Sequence, residues 1–306
     1  MRSGSTFSLL PSGLKLHYRI QGNPEGPWLV LLNGLLSDTT MWAGVLPGLA
    51  DRFRILTFDS RGQGRSDAPL EGPYTTAALA SDAWELFQTL GVQQPWLVGL
   101  SNGSAMSLEL LTRHPEAFPG AVLTSAMARV DFAMALKVEH WVRCLEVGGP
   151  LMQFDAVAPY LWGDAFLEAR HGVLRAYHRV RAEVGPGAEH PRWAESGGVG
   201  ATSGAGYHGL LHQIRGILGW DIRDRLKGIQ APVLLLCGAE DLLTPPWKCV
   251  ETAQGMAQGR LEVVPSIGHA YPVEDPKGFV VRVRGFIAEP RLGRQGVWPI
   301  GEIALP

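Results

Sequence analysis

Cysteine is scarce in this 306-residue chain. Its three cysteines, Cys144, Cys237 and Cys249, are too few and too far apart for a disulfide framework, and they lack the spacing of zinc ligands. Scattered thiols of this kind suit a reducing compartment. We therefore expect neither a disulfide scaffold nor a bound metal.

Long apolar runs and an excess of one charge are missing as well. No segment reaches the roughly 18 apolar residues that a membrane span requires, and no continuous apolar stretch precedes Pro11, as a signal peptide would need. The 27 lysines and arginines nearly balance the 29 acidic residues, which argues against a nucleic-acid partner. With 46% hydrophobic and 18% charged residues, the composition is typical of a globular enzyme. We expect a cytoplasmic protein with a small-molecule partner, and we leave a homodimer open.

The chain does contain short apolar runs separated by helical patterns. Between residues 28 and 124 strands and helices alternate, which implies a parallel sheet with helices on both faces. The predicted strands are 14–20, 28–32, 53–58, 96–98, 120–124, 232–237 and 261–264. Helices are predicted at 42–49, at 75–90 with Thr75 or Thr76 as its cap, and at 276–288.

The alternation is interrupted between residues 127 and 227, where helical segments rich in tryptophan and arginine dominate. Inside this block, residues 185–206 are crowded with Gly, Pro, Ala and Ser, a composition typical of a mobile loop. The simplest organisation is an α/β core formed by residues 1–126 and 228–289, with a helical cap inserted in it. Residues 290–306 are predicted to form an extended C-terminal tail.

The most informative motif is Gly99-x-Ser101-x-Gly103, which follows a buried strand and opens a helix. This is the pattern of a nucleophile elbow, a sharp strand-to-helix turn that exposes a serine hydroxyl. The turn holds the serine in a strained backbone conformation, so the positions two before and two after it must be small. Ser101 is therefore the candidate nucleophile.

A serine hydroxyl needs a base, and the base needs an acid to orient it. Asp241 follows the strand at 232–237 and His269 follows the strand at 261–264, so both belong at the sheet edge where such sites lie. The chain order Ser, Asp, His is the order of this type of site. Two alternatives stay open for the acid: Glu240 could replace Asp241, or Asp241 could cap the following helix.

The third requirement is an oxyanion hole, two N–H donors that face the developing negative charge. One donor is predicted to be the backbone N–H of Asn102, directly after the nucleophile. The other belongs to the loop after the strand at 28–32, and we assign it to Leu35, with Leu36 as the alternative.

With these motifs the chain resembles the α/β-hydrolase fold family over nearly all of residues 14–288. The matching motifs are Leu32-Asn-Gly34, Phe58-Asp-Ser-Arg-Gly-Gln-Gly-Arg-Ser66, Gly99-Leu-Ser-Asn-Gly103, Gly238-Ala-Glu-Asp241 and Gly268-His269. The resemblance implies an α/β fold with an eight-stranded, mostly parallel sheet flanked by helices and a helical cap between strands six and seven. The chain departs from the family at Asn33, where a histidine is usual, and at Ser104, where a second glycine is common.

A serine at the elbow argues against haloalkane dehalogenases and epoxide hydrolases, which need an aspartate nucleophile. The stretch from residue 31 to 67 is similar to 3-oxoadipate enol-lactonase-like proteins and to the acyltransferase that makes the rhamnolipid lipid precursor. The resemblance implies a cofactor-independent serine hydrolase that cleaves a carboxylic ester or lactone through an acyl-enzyme on Ser101. Two alternatives remain: an acyltransferase that uses the same triad with a hydroxyl acceptor, and a non-catalytic small-molecule-binding protein of this fold.

Substrate contacts are harder to predict, because cap aromatic residues can equally pack the cap against the core. The candidates are Asn33, Leu36, Met127, Trp141, Tyr160 and Tyr271. Asp59, Arg61 and Ser66 lie in a motif that is usually structural, and we predict no substrate contact for them.

Overall fold

The computed structural model describes residues 6–183 and 208–289. The loop predicted at 185–206 and the tail predicted at 290–306 lie outside the described residues. Within the described ranges, no helix is long and apolar enough to cross a membrane.

An eight-stranded sheet forms the centre of the molecule. Its strands are β1 Thr6–Leu9, β2 Lys15–Gly22, β3 Trp28–Leu32, β4 Arg54–Phe58, β5 Trp96–Leu100, β6 Ala121–Thr124, β7 Val233–Gly238 and β8 Gly259–Val264. They lie in the order β1-β2-β4-β3-β5-β6-β7-β8. β1 and β2 pair antiparallel, β2 pairs antiparallel with β4, and all other neighbours are parallel. This confirms the predicted mostly parallel sheet.

Strands β3, β5 and β7 contain no charged residue, because both faces of the sheet are covered. Along β3, Val30 and Leu32 join one hydrophobic cluster while Leu29 and Leu31 join the other, as the two-residue period of a strand requires. Helices from the core build the two layers. They are α1 Thr76–Thr89, α2 Asn102–Arg113, α6 Pro246–Gln254, α7 Tyr271–Glu274 and α8 Pro276–Ala288.

The predicted helix boundaries agree with the structure in two places and differ in one. Thr75 caps α1 by accepting a hydrogen bond from the N–H of Ala78 at 3.2 Å, and α8 spans the predicted residues. The helix expected at 42–49 is instead two short 3₁₀ helices, Thr39–Trp42 and Leu46–Gly48. Proline at position 47 has no N–H, so an α-helix cannot run through this segment without losing a hydrogen bond.

Between β6 and β7 the chain leaves the sheet and forms the helical cap, α3 Phe132–Leu161, α4 Asp164–Glu183 and α5 His208–Gly216. α3 bends at Gly149, which has φ of 69° and is followed by Pro150. Asp131 begins α3 by accepting a hydrogen bond from the N–H of Met134, and its other oxygen pairs with the ammonium of Lys248 on α6. The start of the cap is thus tied to the core by a largely buried ion pair.

The corner between α3 and α4 is bonded to the loop that follows β8. The N–H of Ala270 donates to the carbonyl of Leu161 at 3.0 Å. The Glu274 carboxylate accepts from the N–H groups of both Gly163 and Gly268, each at 3.0 Å. The cap therefore sits directly on the sheet edge where the candidate site was predicted.

Candidate active site

Ser101 lies at the turn between β5 and α2, with φ of 54° and ψ of −113°. A non-glycine residue in this region of backbone space costs on the order of 1–3 kcal/mol, and such strain is concentrated at functional sites. The neighbouring glycines permit it. A Cβ at Gly103 would lie 2.1 Å from the carbonyl oxygen of Leu32, and a Cβ at Gly99 would lie 2.6 Å from the carbonyl oxygen of Gly103.

We expect Gly103→Ala to lower the free energy of unfolding by about 1–3 kcal/mol, because the added methyl group collides with backbone that cannot move aside easily. Urea unfolding followed by tryptophan fluorescence measures the change. Gly285→Ala is the matched control, since Gly285 lies on the exposed side of α8 with open space around it. That variant should be as stable as the wild type or more so. Equal stability of the two variants would contradict the steric argument.

The Asp241 carboxylate is buried in the turn after β7. Its Oδ1 accepts hydrogen bonds from the N–H groups of Leu243 at 2.9 Å and Thr244 at 2.7 Å, and its Oδ2 lies 2.9 Å from Nδ1 of His269. α6 begins after Pro245 without any side-chain cap, so the carboxylate faces the imidazole instead of a helix terminus. Glu240 points elsewhere, accepting a hydrogen bond from the N–H of Asp164 at 2.8 Å.

Electrostatics keep this carboxylate ionised. Burial alone would raise the pKa of Asp241, but the adjacent His269 and the hydrogen bonds from His269 and Thr244 outweigh that effect and hold the pKa below its ordinary value. An ionised carboxylate can only accept hydrogen bonds, so the proton of a neutral His269 must reside on Nδ1. Nε2 is then left with its lone pair, which is the form that a general base requires.

Ser101 and His269 line the same cavity. Within the described part of the chain, no hydrogen bond joins the two side chains. Such contacts are often long in unliganded sites and shorten when substrate binds. The arrangement places a candidate nucleophile and an oriented base on one surface.

The two residues predicted to supply the oxyanion hole are both at the cavity. Leu35 and Asn102 both line it, and among the described residues neither N–H has a hydrogen-bond partner. The loop that carries Leu35 is held in place because the carbonyl of Gly34 accepts from Gln63 Nε2 and from Ser37 Oγ, each at 2.8 Å. Free donors on a fixed loop and at a helix N-terminus are the components of an oxyanion hole.

The cavity has a volume of about 370 Å³, within the range of small-molecule sites. It lies between the sheet edge and the cap, and apolar side chains form most of its wall. The apolar lining includes Leu36, Met41, Met127, Met134, Trp141, Phe154, Val157, Leu161, Trp162, Leu174, Leu210 and Ile217. Of the predicted substrate contacts, Leu36, Met127 and Trp141 therefore border the cavity.

The other three predicted substrate contacts do not reach the cavity. The Asn33 amide is buried, donating to the carbonyl of Phe58 at 2.9 Å and accepting from Trp42 Nε1 at 2.7 Å, so it joins the ends of β3 and β4 instead. Tyr271 is fully buried in the core, where it meets the ring of Phe279 edge-on.

Tyr160 is also absent from the cavity lining. Its ring packs against Trp141, with centroids 6.0 Å apart, and beneath the ammonium of Lys137 at 4.8 Å. This tyrosine supports the wall of the cavity from behind. The helical period places a residue on a face of α3 but does not say which element covers that face.

The Asp59 motif has the structural role predicted for it. Asp59 binds His17 Nδ1 at 2.7 Å and accepts from the N–H of Thr39 at 2.8 Å, while Arg61 pairs with Asp82. These contacts fix the loop after β4 beneath the cavity. Across residues 6–183 and 208–289, no group of three or more His, Cys, Asp or Glu side chains could hold a metal ion.

The sequence pattern of the α/β-hydrolase fold matches residues 27–186, more than half of the chain. The chain therefore belongs to the α/β-hydrolase fold family. A protein from Caulobacter sp. (strain K31) whose name proposes a carbamate hydrolase, RutD, is 28% identical over 276 residues, covering 89% of this chain and 96% of that protein.

Solved structures extend the comparison. The enol-lactonase from Burkholderia xenovorans LB400 is 28% identical, with a TM-score of 0.74 over 93% of this chain and all of that one. MGS-M2, an α/β hydrolase from a Medee basin deep-sea metagenome library, has a TM-score of 0.82 over 95% of this chain and all of that one, and its 20% identity shows the fold alone. Together the comparisons support a hydrolase.

Proposed function

We propose that this protein is a cofactor-independent serine hydrolase that cleaves a carboxylic ester or lactone through an acyl-enzyme on Ser101. One observation carries the proposal: His269, which is bonded to the buried Asp241, and the strained Ser101 line the same cavity. A binding protein would gain nothing from an oriented imidazole next to a strained serine. The enol-lactonase and carbamate hydrolase names of the relatives are consistent with attack on a carbonyl bonded to oxygen.

In the first half-reaction, Ser101 Oγ forms a bond to the substrate carbonyl carbon while its proton passes to His269 Nε2. The carbonyl oxygen becomes an oxyanion, to which the N–H groups of Leu35 and Asn102 donate. The tetrahedral intermediate then collapses, the carbon–oxygen bond to the alcohol breaks, and His269 returns the proton to the leaving oxygen. Asp241 stabilises the imidazolium that exists between the two transfers.

In the second half-reaction, water replaces the alcohol. His269 Nε2 takes a proton from water, whose oxygen attacks the acyl carbon, and the same donors hold the second oxyanion. The bond to Ser101 Oγ breaks as the serine recovers a proton from His269, which releases the carboxylic acid. No step requires a group beyond water, the three side chains and the two backbone N–H groups already described.

The cavity wall supports an apolar acyl or alkyl group on the substrate. A water molecule occupies about 30 Å³ in the liquid, so a cavity of about 370 Å³ has room for on the order of 12 non-hydrogen atoms. Each buried methylene contributes about 0.8 kcal/mol, close to a fourfold change in kcat/KM. We expect kcat/KM for p-nitrophenyl esters to rise from acetyl to hexanoyl and to fall for long acyl chains. Equal values from acetyl to hexanoyl would contradict an acyl-binding role for the cavity.

A pair of variants on α3 sharpens this measurement. Met134 borders the cavity, so Met134→Trp should move the best acyl length to a shorter chain. Leu136 is on the same helix and half exposed, so Leu136→Trp should leave the length preference unchanged. Measuring kcat/KM for carbamates, lactones and thioesters beside the p-nitrophenyl esters tests which bond the enzyme prefers to cleave.

The mechanism itself is tested by trapping the nucleophile. A fluorophosphonate probe should attach to the wild-type protein at Ser101, as read by peptide mass spectrometry, and p-nitrophenyl butyrate should give a burst of nitrophenol. Labelling at another residue, or no labelling in a folded protein, would overturn the proposal. If an added hydroxy-acyl acceptor diverts product from free acid to ester, the reaction is acyl transfer instead.

A further inference from the structure

Thr244 is completely buried behind the Asp241–His269 pair, and it touches both partners. Its Oγ1 lies 2.7 Å from Asp241 Oδ2 and 3.1 Å from His269 Nδ1. A third contact, at 3.3 Å, is with the carbonyl oxygen of Ser125. The sequence patterns that pointed to the acid and the base gave no signal for this residue.

Counting protons defines what the hydroxyl does. A threonine hydroxyl has one proton and two lone pairs. The Asp241 carboxylate can only accept hydrogen bonds, and its Oδ2 lies nearer to Thr244 Oγ1 than the Ser125 carbonyl oxygen does. The Thr244 hydroxyl therefore donates its hydrogen bond to Asp241 Oδ2. The Nδ1–H of His269 then faces Oδ2 and, slightly farther away, a lone pair of Thr244. The hydroxyl thus fixes the position of the carboxylate oxygen and the direction of the imidazole N–H together.

Ser125 supports this arrangement from the end of β6. Its φ of 53° lies in the left-handed region, and its Oγ donates to the backbone carbonyl of His269 at 2.8 Å. Its N–H donates to the carbonyl of Leu236 on β7 at 2.9 Å. The ends of β6, β7 and β8 are therefore joined by buried hydrogen bonds that converge behind the imidazole.

We infer that Thr244 is a positioning residue for the base, and that Ser125 anchors it. The inference rests on the proposed function, because it assigns Thr244 a part in orienting His269 for proton transfer from Ser101. Thr244 touches neither substrate nor reacting atoms. Its effect reaches the reaction through Asp241 and His269, so its loss should slow the chemical step without weakening substrate binding.

Two substitutions at Thr244 distinguish the contribution of its hydroxyl group from the contribution of its side-chain packing. Thr244→Val keeps the shape and removes the hydroxyl, and we expect kcat to fall on the order of 10- to 100-fold, the worth of one hydrogen bond to a charged group, with KM within twofold. Thr244→Ser keeps the hydroxyl and loses a methyl group, and it should retain most of the activity. Thr57→Val is the matched control, since that buried hydroxyl on β4 has no partner in the described part of the chain.

A double-mutant cycle tests the route of the effect. If Thr244 acts through the carboxylate, adding Thr244→Val to Asp241→Asn should cost less than threefold further in kcat. A full additional loss would mean that Thr244 acts independently of Asp241. Equal activity of Thr244→Val and wild type, or equal losses in the Val and Ser variants, would overturn the inference.

A measurement made without substrate distinguishes failure of the positioning role of Thr244 from failure of the proposed hydrolase function. Proton NMR of the wild-type protein should show a low-field signal from the His269 Nδ1–H, and Thr244→Val should shift it while Thr57→Val leaves it in place. A signal that Thr244→Val does not move would refute the positioning role whatever the activity. If the signal moves but no fluorophosphonate labels Ser101, the positioning stands and the proposed hydrolysis fails.

Discussion

Replacing Ser101 by alanine should abolish fluorophosphonate labelling and the nitrophenol burst, and should lower kcat for p-nitrophenyl butyrate on the order of 10⁶-fold. In the proposed mechanism the hydroxyl oxygen forms the acyl bond, and nothing else in the described part of the cavity offers an equivalent nucleophile on a strained turn. The activity that remains would come from the oxyanion donors and from substrate binding.

The fold should survive this change, because the Ser101 side chain makes no hydrogen bond within the described residues. Urea unfolding midpoints of the variant and the wild type should therefore agree closely. Ser81→Ala on the exposed side of α1 serves as the control for removing a helix-associated hydroxyl, and it should retain full activity. Undiminished turnover in purified Ser101→Ala protein would refute the nucleophile assignment.

Asp241→Asn should lower kcat on the order of 10⁴-fold while leaving the protein folded and able to bind substrate. The asparagine side chain has nearly the same shape, but its NH₂ group donates where the carboxylate accepted. His269 would then hold its proton on Nε2, the wrong nitrogen for a base, and the imidazolium formed during catalysis would lose its counter-charge. Steady-state kinetics at pH 7 to 8 measures the loss.

Glu240→Gln is the control, because Glu240 is the neighbouring acid and its carboxylate binds the Asp164 N–H at the start of α4. This variant should keep kcat within a few-fold of the wild type. The comparison also decides between the two acids that the sequence left open. A larger loss in Glu240→Gln than in Asp241→Asn would reverse the assignment.

Ionisation of Asp241 gives the pH dependence of stability a definite direction. The folded-state pKa lies below the unfolded value of about 3.9, so this carboxylate binds fewer protons in the folded state. Its contribution to stability is present above the unfolded pKa and is lost as the pH falls through the folded pKa. In the proposed mechanism, catalysis near neutral pH is therefore not limited by protonation of Asp241.

Much of the fold followed from local pattern. Continuous apolar runs predicted the buried strands β3 and β7, and the Gly99-x-Ser101-x-Gly103 spacing predicted a strained turn before a helix. These predictions agree with the structure because each depends on residues a few positions apart. The helix predicted at 42–49 was wrong. The apolar pattern favoured a helix, but Pro47 has no N–H to continue it, and the segment forms two short 3₁₀ helices instead.

By itself, the sequence determined seven of the eight strands, the strained turn at Ser101 and the chain order of the candidate nucleophile, acid and base, but it missed β1. Hydrophobic period and the steric limits that require glycine act over short distances along the chain. Tertiary structure alone decided which side chains meet. It turned Asn33 and Tyr271 away from the cavity and brought Ser125 to His269 across 144 positions of sequence. Such partners depend on the packing of separate strand ends, and no local pattern of residues encodes that packing.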